Sequence, residues 1–525
     1  MTADQADPVV STPHGALRGR YERGVAVFRG IPYAQPPFGP RRFRPPEPLP
    51  PWDGVRDAGA FGPTPPKPPY SEAFAPYLSD PVIPGDDILN LNVWTPAPDP
   101  AARLPVLVWL HGGALTRGSS AVPVYDGHAF ARDGVVCVSL NYRLGVEGYG
   151  LFPDAPANPG LRDQIAALAW VHETIEAFGG DPGRITLFGQ SAGAISIGAL
   201  LAAPQTRGMV RRAVLQSGPP EAAERTRVRR MVRRMASRLR IPATAEAFAA
   251  VDRDLLLRTQ AEVGRLSSPV IGGPAFGIVV DGDVVPRDPL EALLDGAAPG
   301  VDLMMGWTRD EHRLWLVPGG LMERLDRLGA VALAGAMARC RCGGEVPRGY
   351  RVLRPEAGTA DLVGDLVTDH LLRIPLHRLA DARTEPSYVY EFAWPSRLPG
   401  LGACHALELG FVFDTGEVPE SRRLAGEGAP QDLADALHSA WVRFAEDGDP
   451  GWERWDATHP VRVFGDPAPD APDPLAHTAP GPRDRELALW TRDALTPSPV
   501  GTPPRGTELR TAVRRFRRAG GLRRR

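Results

Sequence analysis

Gly189-Gln190-Ser191-Ala192-Gly193 carries the densest chemistry in this sequence. A serine with glycine two residues away on either side can sit on a turn too tight for ordinary side chains. The apolar run Ile185-Thr-Leu-Phe188 precedes it, and a small-residue helical stretch, 192–203, follows. A strand–turn–helix junction of this kind lifts a hydroxyl clear of a sheet and aims the free N–H groups of a helix start at developing negative charge. The chemistry implied is attack by Ser191 on an acyl carbon to give a covalent acyl-enzyme. The bland alternative is a glycine-rich turn holding an inert serine.

A second glycine cluster, His111-Gly112-Gly113-Ala114, comes straight after the apolar run Val106–Leu110. It resembles the H-G-G-G type loop of lipases and esterases, in which backbone N–H groups approach an oxyanion closely. The donors expected are the N–H groups of Gly112, Gly113 and Ala192. Loss of one such donor typically costs about 10²–10³ in turnover. His111 precedes the serine, and the elbow motif belongs to an order of serine, acid, histidine. We therefore read it as a loop-ordering residue.

A base and an acid must lie downstream. Seven histidines do: His312, His370, His377, His405, His438, His459 and His477. His405 is favoured, because it sits in a loop just before an apolar segment ending Gly410-Phe-Val-Phe413. A catalytic imidazole needs a loop position, a free Nε2 and a fixed tautomer. His438 falls within an amphipathic helix and reads as packing. For the acid, the loop after 302–306 offers Asp310 and Glu311 side by side, and residue type alone does not choose between them.

Positioning these groups requires a particular scaffold. Val106–Leu110 and 135–140 are unbroken apolar runs, as strands buried on both faces of a parallel sheet should be. Apolar spacing predicts a helix over 161–178, ended by Gly179-Gly180, then strands at 185–188 and 213–216. Further strands are expected at 278–281, 302–306 and 388–392, with a long amphipathic helix at 430–446. This alternation predicts an α/β fold: a large, mostly parallel sheet with helices on both faces and helical insertions. No 20–50-residue repeat is present. The expected organisation is one domain over 1–504 and a basic tail over 505–525.

Composition narrows the function. The chain has 525 residues, a formal charge of −2 and 43% hydrophobic residues, which excludes a disulfide mini-protein and a wholly disordered chain. The tail holds nine Arg and one acid, a charge of +8, so residues 1–504 carry −10. An acidic body without a base-reading module argues against nucleic acid as a partner. Residues 225–240 hold eight Arg, but Val228, Val232, Met235 and Leu239 form a stripe, so a helix with a solvated basic face is expected. Four cysteines, Cys137, Cys340, Cys342 and Cys404, form neither a disulfide framework nor a metal clip. No secretory signal and no 18-residue apolar span is visible. We therefore expect no metal, no cofactor, no membrane span and a cytoplasmic location.

Longer stretches carry a resemblance. Phe28-Arg-Gly-Ile-Pro-Tyr-Ala34, Leu89-Asn-Leu-Asn-Val-Trp94, Asn141-Tyr-Arg-Leu-Gly145, Asn158-Pro-Gly-Leu-Arg-Asp-Gln164, Gln216-Ser-Gly218 and the segment from Phe178 to Gly193 resemble the type-B carboxylesterases, which include cholinesterases and bacterial para-nitrobenzyl esterases. The resemblance spans roughly 9–495 and implies an α/β-hydrolase fold. It implies Glu311 as the acid, and His405 as the base from the segment His405-Ala-Leu-Glu408. With Ser191 they make a Ser-His-Glu triad that hydrolyses carboxylic esters. Trp315 and Phe411 are expected at the substrate pocket. Acyl transfer to an alcohol, amide or carbamate hydrolysis, and a non-catalytic binding role are the rival expectations. Departures from the family pattern are Gln190 in place of glutamate and His312 in place of glycine. Asp86 in place of glutamate leads to an expected ion pair with Arg42. Leu78, standing where cholinesterases present an aromatic platform, argues against a choline site.

Overall fold

The computed structural model describes residues 6–265, 275–466 and 475–490, so the expected boundary near 504 and the tail 505–525 lie outside the described residues. Fourteen strands occur among them: β1 (Val9–Thr12), β2 (Gly15–Arg18), β3 (Arg20–Glu22), β4 (Val25–Pro32), β5 (Val55–Asp57), β6 (Asn90–Thr95), β7 (Leu104–Leu110), β8 (Val136–Leu140), β9 (Gly180–Gln190), β10 (Arg212–Gln216), β11 (Asp302–Thr308), β12 (Ser387–Phe392), β13 (Pro460–Phe464) and β14 (Ala476–Pro480). Eleven form one sheet in the order β14-β13-β12-β11-β10-β9-β7-β8-β6-β4-β3, and β1-β2-β5 form a small second sheet. From β8 across to β13 every neighbouring pair is parallel. The flanking pairs β6–β8, β4–β6, β3–β4 and β13–β14 are antiparallel.

The apolar runs follow from burial on both faces. Along β7, Val106, Val108 and Leu110 enter one core layer, and Leu107 and Trp109 enter the other. β11 divides the same way, with Leu303 and Met305 on one side and Met304 on the other. Alternate side chains of a strand point to opposite faces, so a strand covered twice must be apolar throughout. The helices Pro159–Thr174 and Ala192–Ala202 cover the first face, and Gln431–Asp447 covers the second. A third apolar cluster lies within the helical insertion between β11 and β12, around Leu316, Tyr350, Leu362 and Leu366, and takes in Trp490.

The expected basic helix is present as Arg225–Leu239, with Val228, Met231, Val232, Met235 and Ala236 buried. Residues 278–281, expected as a strand, are irregular extended chain. Their apolar character comes from burial of Ile278 and Val279 rather than from a sheet. Asn158, in the left-handed conformation at the head of its helix, takes the place of a neighbouring strand: its side chain accepts from Val279 N at 2.9 Å and donates to Val279 O at 2.8 Å. The expected Asp86–Arg42 pair is also replaced. Arg42 pairs with Glu147 at 2.5 Å, and Asp86 pairs with Arg253 at 2.9 Å, because the chain carries a closer partner for each.

Candidate active site

Four loops meet at the C-terminal ends of the parallel strands, where a doubly wound sheet places its ligand crevice. The loop after β9 is the serine turn. Ser191 has φ +56° and ψ −122°, a conformation that costs an L-residue of order 1–3 kcal/mol and clusters at functional sites. The turn is held by Ser191 N donating to Gln216 O at 2.8 Å on the neighbouring strand β10. The helix begins at once, at Ala192, leaving the N–H groups of its first turn without helical partners. Gly193 is required by close approach: a Cβ there would lie 1.9 Å from Leu110 O at the end of β7.

The loop after β7 wraps over the serine. A Cβ on Gly112 would come within 3.3 Å of Ser191 Cβ. Gly113 (φ +110°), Ala114 (+53°), Leu115 (+58°) and Gly118 (+94°) all occupy the left-handed half of backbone space. Gly113 O accepts from Thr116 N and Arg117 N, each at 3.0 Å, which curls the loop into a tight turn. His111 is the ordering residue expected from its position. Its ring stacks on Tyr142 at 4.4 Å, its Nδ1 donates to Gly112 O at 2.8 Å, and its backbone O accepts from Tyr142 Oη at 2.6 Å. Burial lowers its pKa to about 3, so the imidazole is neutral and the donor role of Nδ1 is fixed.

The other two loops supply the carboxylate and the imidazole. Glu311 follows β11 and His405 follows β12, 94 residues apart in sequence. His405 Nδ1 donates to Glu311 Oε2, with both side chains buried. Glu311 Oε1 accepts from Thr308 N at 2.8 Å. Burial works to raise the Glu311 carboxyl, but the adjacent imidazole and its hydrogen bonds bring it below the usual range for a glutamate. Asp310, the other candidate acid, does something different. Its carboxylate accepts from Ala403 N at 2.9 Å while its own N–H donates to Ala403 O at 2.9 Å. It thereby laces the two loops together, one residue away from the Glu311–His405 contact.

The free nitrogen of the imidazole faces the serine turn. Gln190 Nε2 lies 2.9 Å from His405 Nε2 and donates to it. The carboxamide next to the serine, rather than the hydroxyl, thus holds the lone pair a general base would use. In sequence Gln190 stands out only as a glutamine in place of the family's glutamate; its contact with His405 comes from the fold. Glu408 lies three residues beyond His405, at the end of the segment His405-Ala-Leu-Glu408. It is buried, accepts from Gln216 Nε2 at 3.3 Å, and is pushed up to about 7 by burial and by the charge of Glu311. Trp315 packs its ring 4.5 Å from the imidazole of His405. Phe411 is buried against Phe392 and Trp394, both at 5.2 Å, in the core layer behind the site.

Residues 6–462 match the family model described as the carboxylesterase family. The chain is a member of that family. The para-nitrobenzyl esterase of Bacillus subtilis (strain 168) is 36% identical over 470 residues, covering 86% of this chain and 92% of that protein. The phenmedipham hydrolase of Pseudarthrobacter oxydans is 36% identical over 486 residues, covering 87% and 95%. Among solved structures, the carboxylesterase EST55 of Geobacillus stearothermophilus matches with a TM-score of 0.79 and 36% identity, over 92% of this chain and 100% of that one. This carboxylesterase has the α/β-hydrolase fold and is a carboxylic-ester hydrolase. Among the described residues, no helix is long and apolar enough to cross a membrane.

Proposed function

We propose that Ser191, His405 and Glu311 are the triad of a serine esterase, with the N–H groups of Gly112, Gly113 and Ala192 as the oxyanion hole. The observation that carries the reading is the Glu311–His405 hydrogen bond, which leaves Nε2 aimed at the serine turn through Gln190. Glu311 fixes the tautomer with its proton on Nδ1 and stabilises the imidazolium formed when Ser191 gives up its proton. For that transfer the carboxamide of Gln190 must yield Nε2 to the hydroxyl, a step suited to substrate binding because apo hydrogen bonds often tighten only in the Michaelis complex. Ser191 Oγ then attacks the ester carbonyl and the loop N–H groups receive the oxyanion. His405 next protonates the departing alcohol. Water, deprotonated by the same imidazole, releases the acid from the acyl-enzyme.

Small to medium uncharged esters suit this site. Gln190 contributes no charge, Trp315 offers an apolar ring beside the imidazole, and Leu78 is an aliphatic side chain packed against the core. The same reading keeps 1–504 as one catalytic domain, since one sheet runs from β3 to β14. It also keeps a reducing, cytoplasmic setting, since the four cysteines are free. A panel of p-nitrophenyl acyl esters of graded length tests the proposal. The expected result is a burst of p-nitrophenol equal to the enzyme concentration, followed by a steady rate set by the acyl group. Full activity in Ser191→Ala would reject it. Added short alcohols separate hydrolysis from transfer: ester products and ping-pong kinetics would favour the acyltransferase reading.

A further inference from the structure

The loop 63–84, with a run of turns at 72–77, lies beside the site and is closed near its two ends. Thr64 N donates to Ile83 O at 2.9 Å, and Ile83 N donates to Thr64 Oγ1 at 3.1 Å. Three residues in from Thr64 and from Ile83, Lys67 Nζ lies 3.1 Å from Asp80 Oδ1 and donates to Pro81 O at 3.0 Å. The side chains are 2% and 6% exposed, so this is a buried ion pair. The other oxygen of Asp80 leaves the segment: Oδ2 accepts from Gly118 N at 3.2 Å, at the end of the loop that begins at His111. Arg117 next to it donates to Pro69 O at 3.1 Å and lies over the ring of Tyr70 at 5.2 Å.

Lys67 is the single lysine of the chain among 60 cationic Lys and Arg residues. The site explains the choice. A compact ammonium on a flexible stem fits between one carboxylate oxygen and one carbonyl, whereas a planar guanidinium would need room for five donors. Burial lowers the ammonium and raises the carboxyl, so each ion is held in its charged form chiefly by the other. The partner loop needs support from outside. Ala114 and Leu115 are left-handed without being glycine, and such conformations persist only where surrounding contacts over-determine them.

We propose that Lys67 and Asp80 form a clasp that fixes the oxyanion loop at its Gly118 end: Lys67 neutralises Asp80, Asp80 anchors Gly118, and the N–H groups of Gly112 and Gly113 keep their aim. Both are positioning residues, since neither reaches the serine. The inference rests on reading this loop as the oxyanion hole. Its effect falls on kcat and on oxyanion mimics, with little change in KM.

The test is a pair of double variants. Lys67→Met with Asp80→Asn removes both charges but keeps an oxygen able to accept from Gly118 N. Lys67→Met with Asp80→Leu removes the charges and the acceptor. The expected result is near-normal kcat for the first. For the second we expect about a 10-fold loss of kcat, a matching loss of affinity for a trifluoromethyl ketone that forms a hemiketal on the serine, and KM within twofold. Equal kcat and inhibitor affinity in both would overturn the clasp. A wild-type enzyme that the ketone does not inhibit would overturn the oxyanion-hole reading itself, so the two failures are separate. Should a variant not fold, the wild type still decides. Lys67 is the one side-chain amine, so acylation by an N-hydroxysuccinimide ester, read on its peptide, reports opening of the clasp. The ketone should slow that acylation several-fold, and an unchanged rate would count against the proposal.

Discussion

The two sides of the site are built by different physics. On the β7–β9 side the parts are backbone: a glycine loop, a strained serine and the start of a helix, packed so closely that a methyl group on Gly193 would collide with Leu110 O at 1.9 Å. On the β11–β12 side the parts are side chains held by charge. Arg373 donates to Arg309 O at 2.7 Å and pairs with buried Asp369. Arg309 in turn bonds Glu391 at 2.8 Å and Asp466 at 3.1 Å, and Asp310 laces the loop of His405. Backbone geometry of the first kind depends on short segments. The second kind depends on residues brought from the 370s, 390s and 460s. On the proposed reading, the first side would set where the oxyanion goes and the second where the proton goes.

That division is testable, and the largest effect belongs to the charged side. Glu311→Gln should lower kcat about 10³–10⁴-fold, since a neutral amide neither fixes the tautomer nor stabilises the imidazolium; steady-state hydrolysis of p-nitrophenyl acetate measures it. A loss under tenfold would mean that another carboxylate serves. Gly113→Val probes the backbone side. A Cβ there would lie 2.3 Å from Arg117 O at a φ of +110°, so the loop must deform. The expected loss is about 10²–10³ in kcat with KM little changed, the size of one oxyanion donor.

Gln190 sits where the two sides meet, and Gln190→Glu should alter pH dependence more than maximal rate. His405 is faced by Glu311 at Nδ1, by Gln190 at Nε2, by the ring of Trp315 and by nearby Glu408. A carboxylate at 190 favours the protonated imidazole, so the acid limb of the kcat/KM profile should move to higher pH by about one unit. An unmoved limb would show that the carboxamide does not engage the base. The smallest effect concerns Glu408, raised to about 7 from an ordinary 4.5. A raised folded value means stability that is complete below the unfolded pKa and is lost as pH rises through the folded one. Between pH 5 and 8 the wild type should therefore lose melting temperature relative to Glu408→Gln, by a few degrees; parallel curves would contradict the shift.

The same asymmetry explains what sequence reading could reach. The serine turn, its strand and helix and the glycine loop are contiguous, so their spacing betrays them. His405 stands out among the downstream histidines by its place in a loop just before an apolar segment. Asp310 and Glu311 could not be separated without resemblance, because adjacent carboxyl groups differ only in where the folded loop aims them. Residues 278–281 resemble a strand in sequence because burial makes a chain apolar whether or not it pairs, and the pairing here is with the Asn158 side chain. The Lys67–Asp80 pair left no pattern, since two residues 13 apart in a proline-rich run have no periodicity to announce them.

Mapping the site of attack by an activated p-nitrophenyl phosphonate tests whether Ser191 is the nucleophile served by His405 and Glu311. The expected result is one phosphonyl group per chain, on the peptide containing Ser191, formed in step with loss of esterase activity, and a sharply slower reaction in Glu311→Gln. Labelling at another residue, or full activity in enzyme labelled at Ser191, would contradict it.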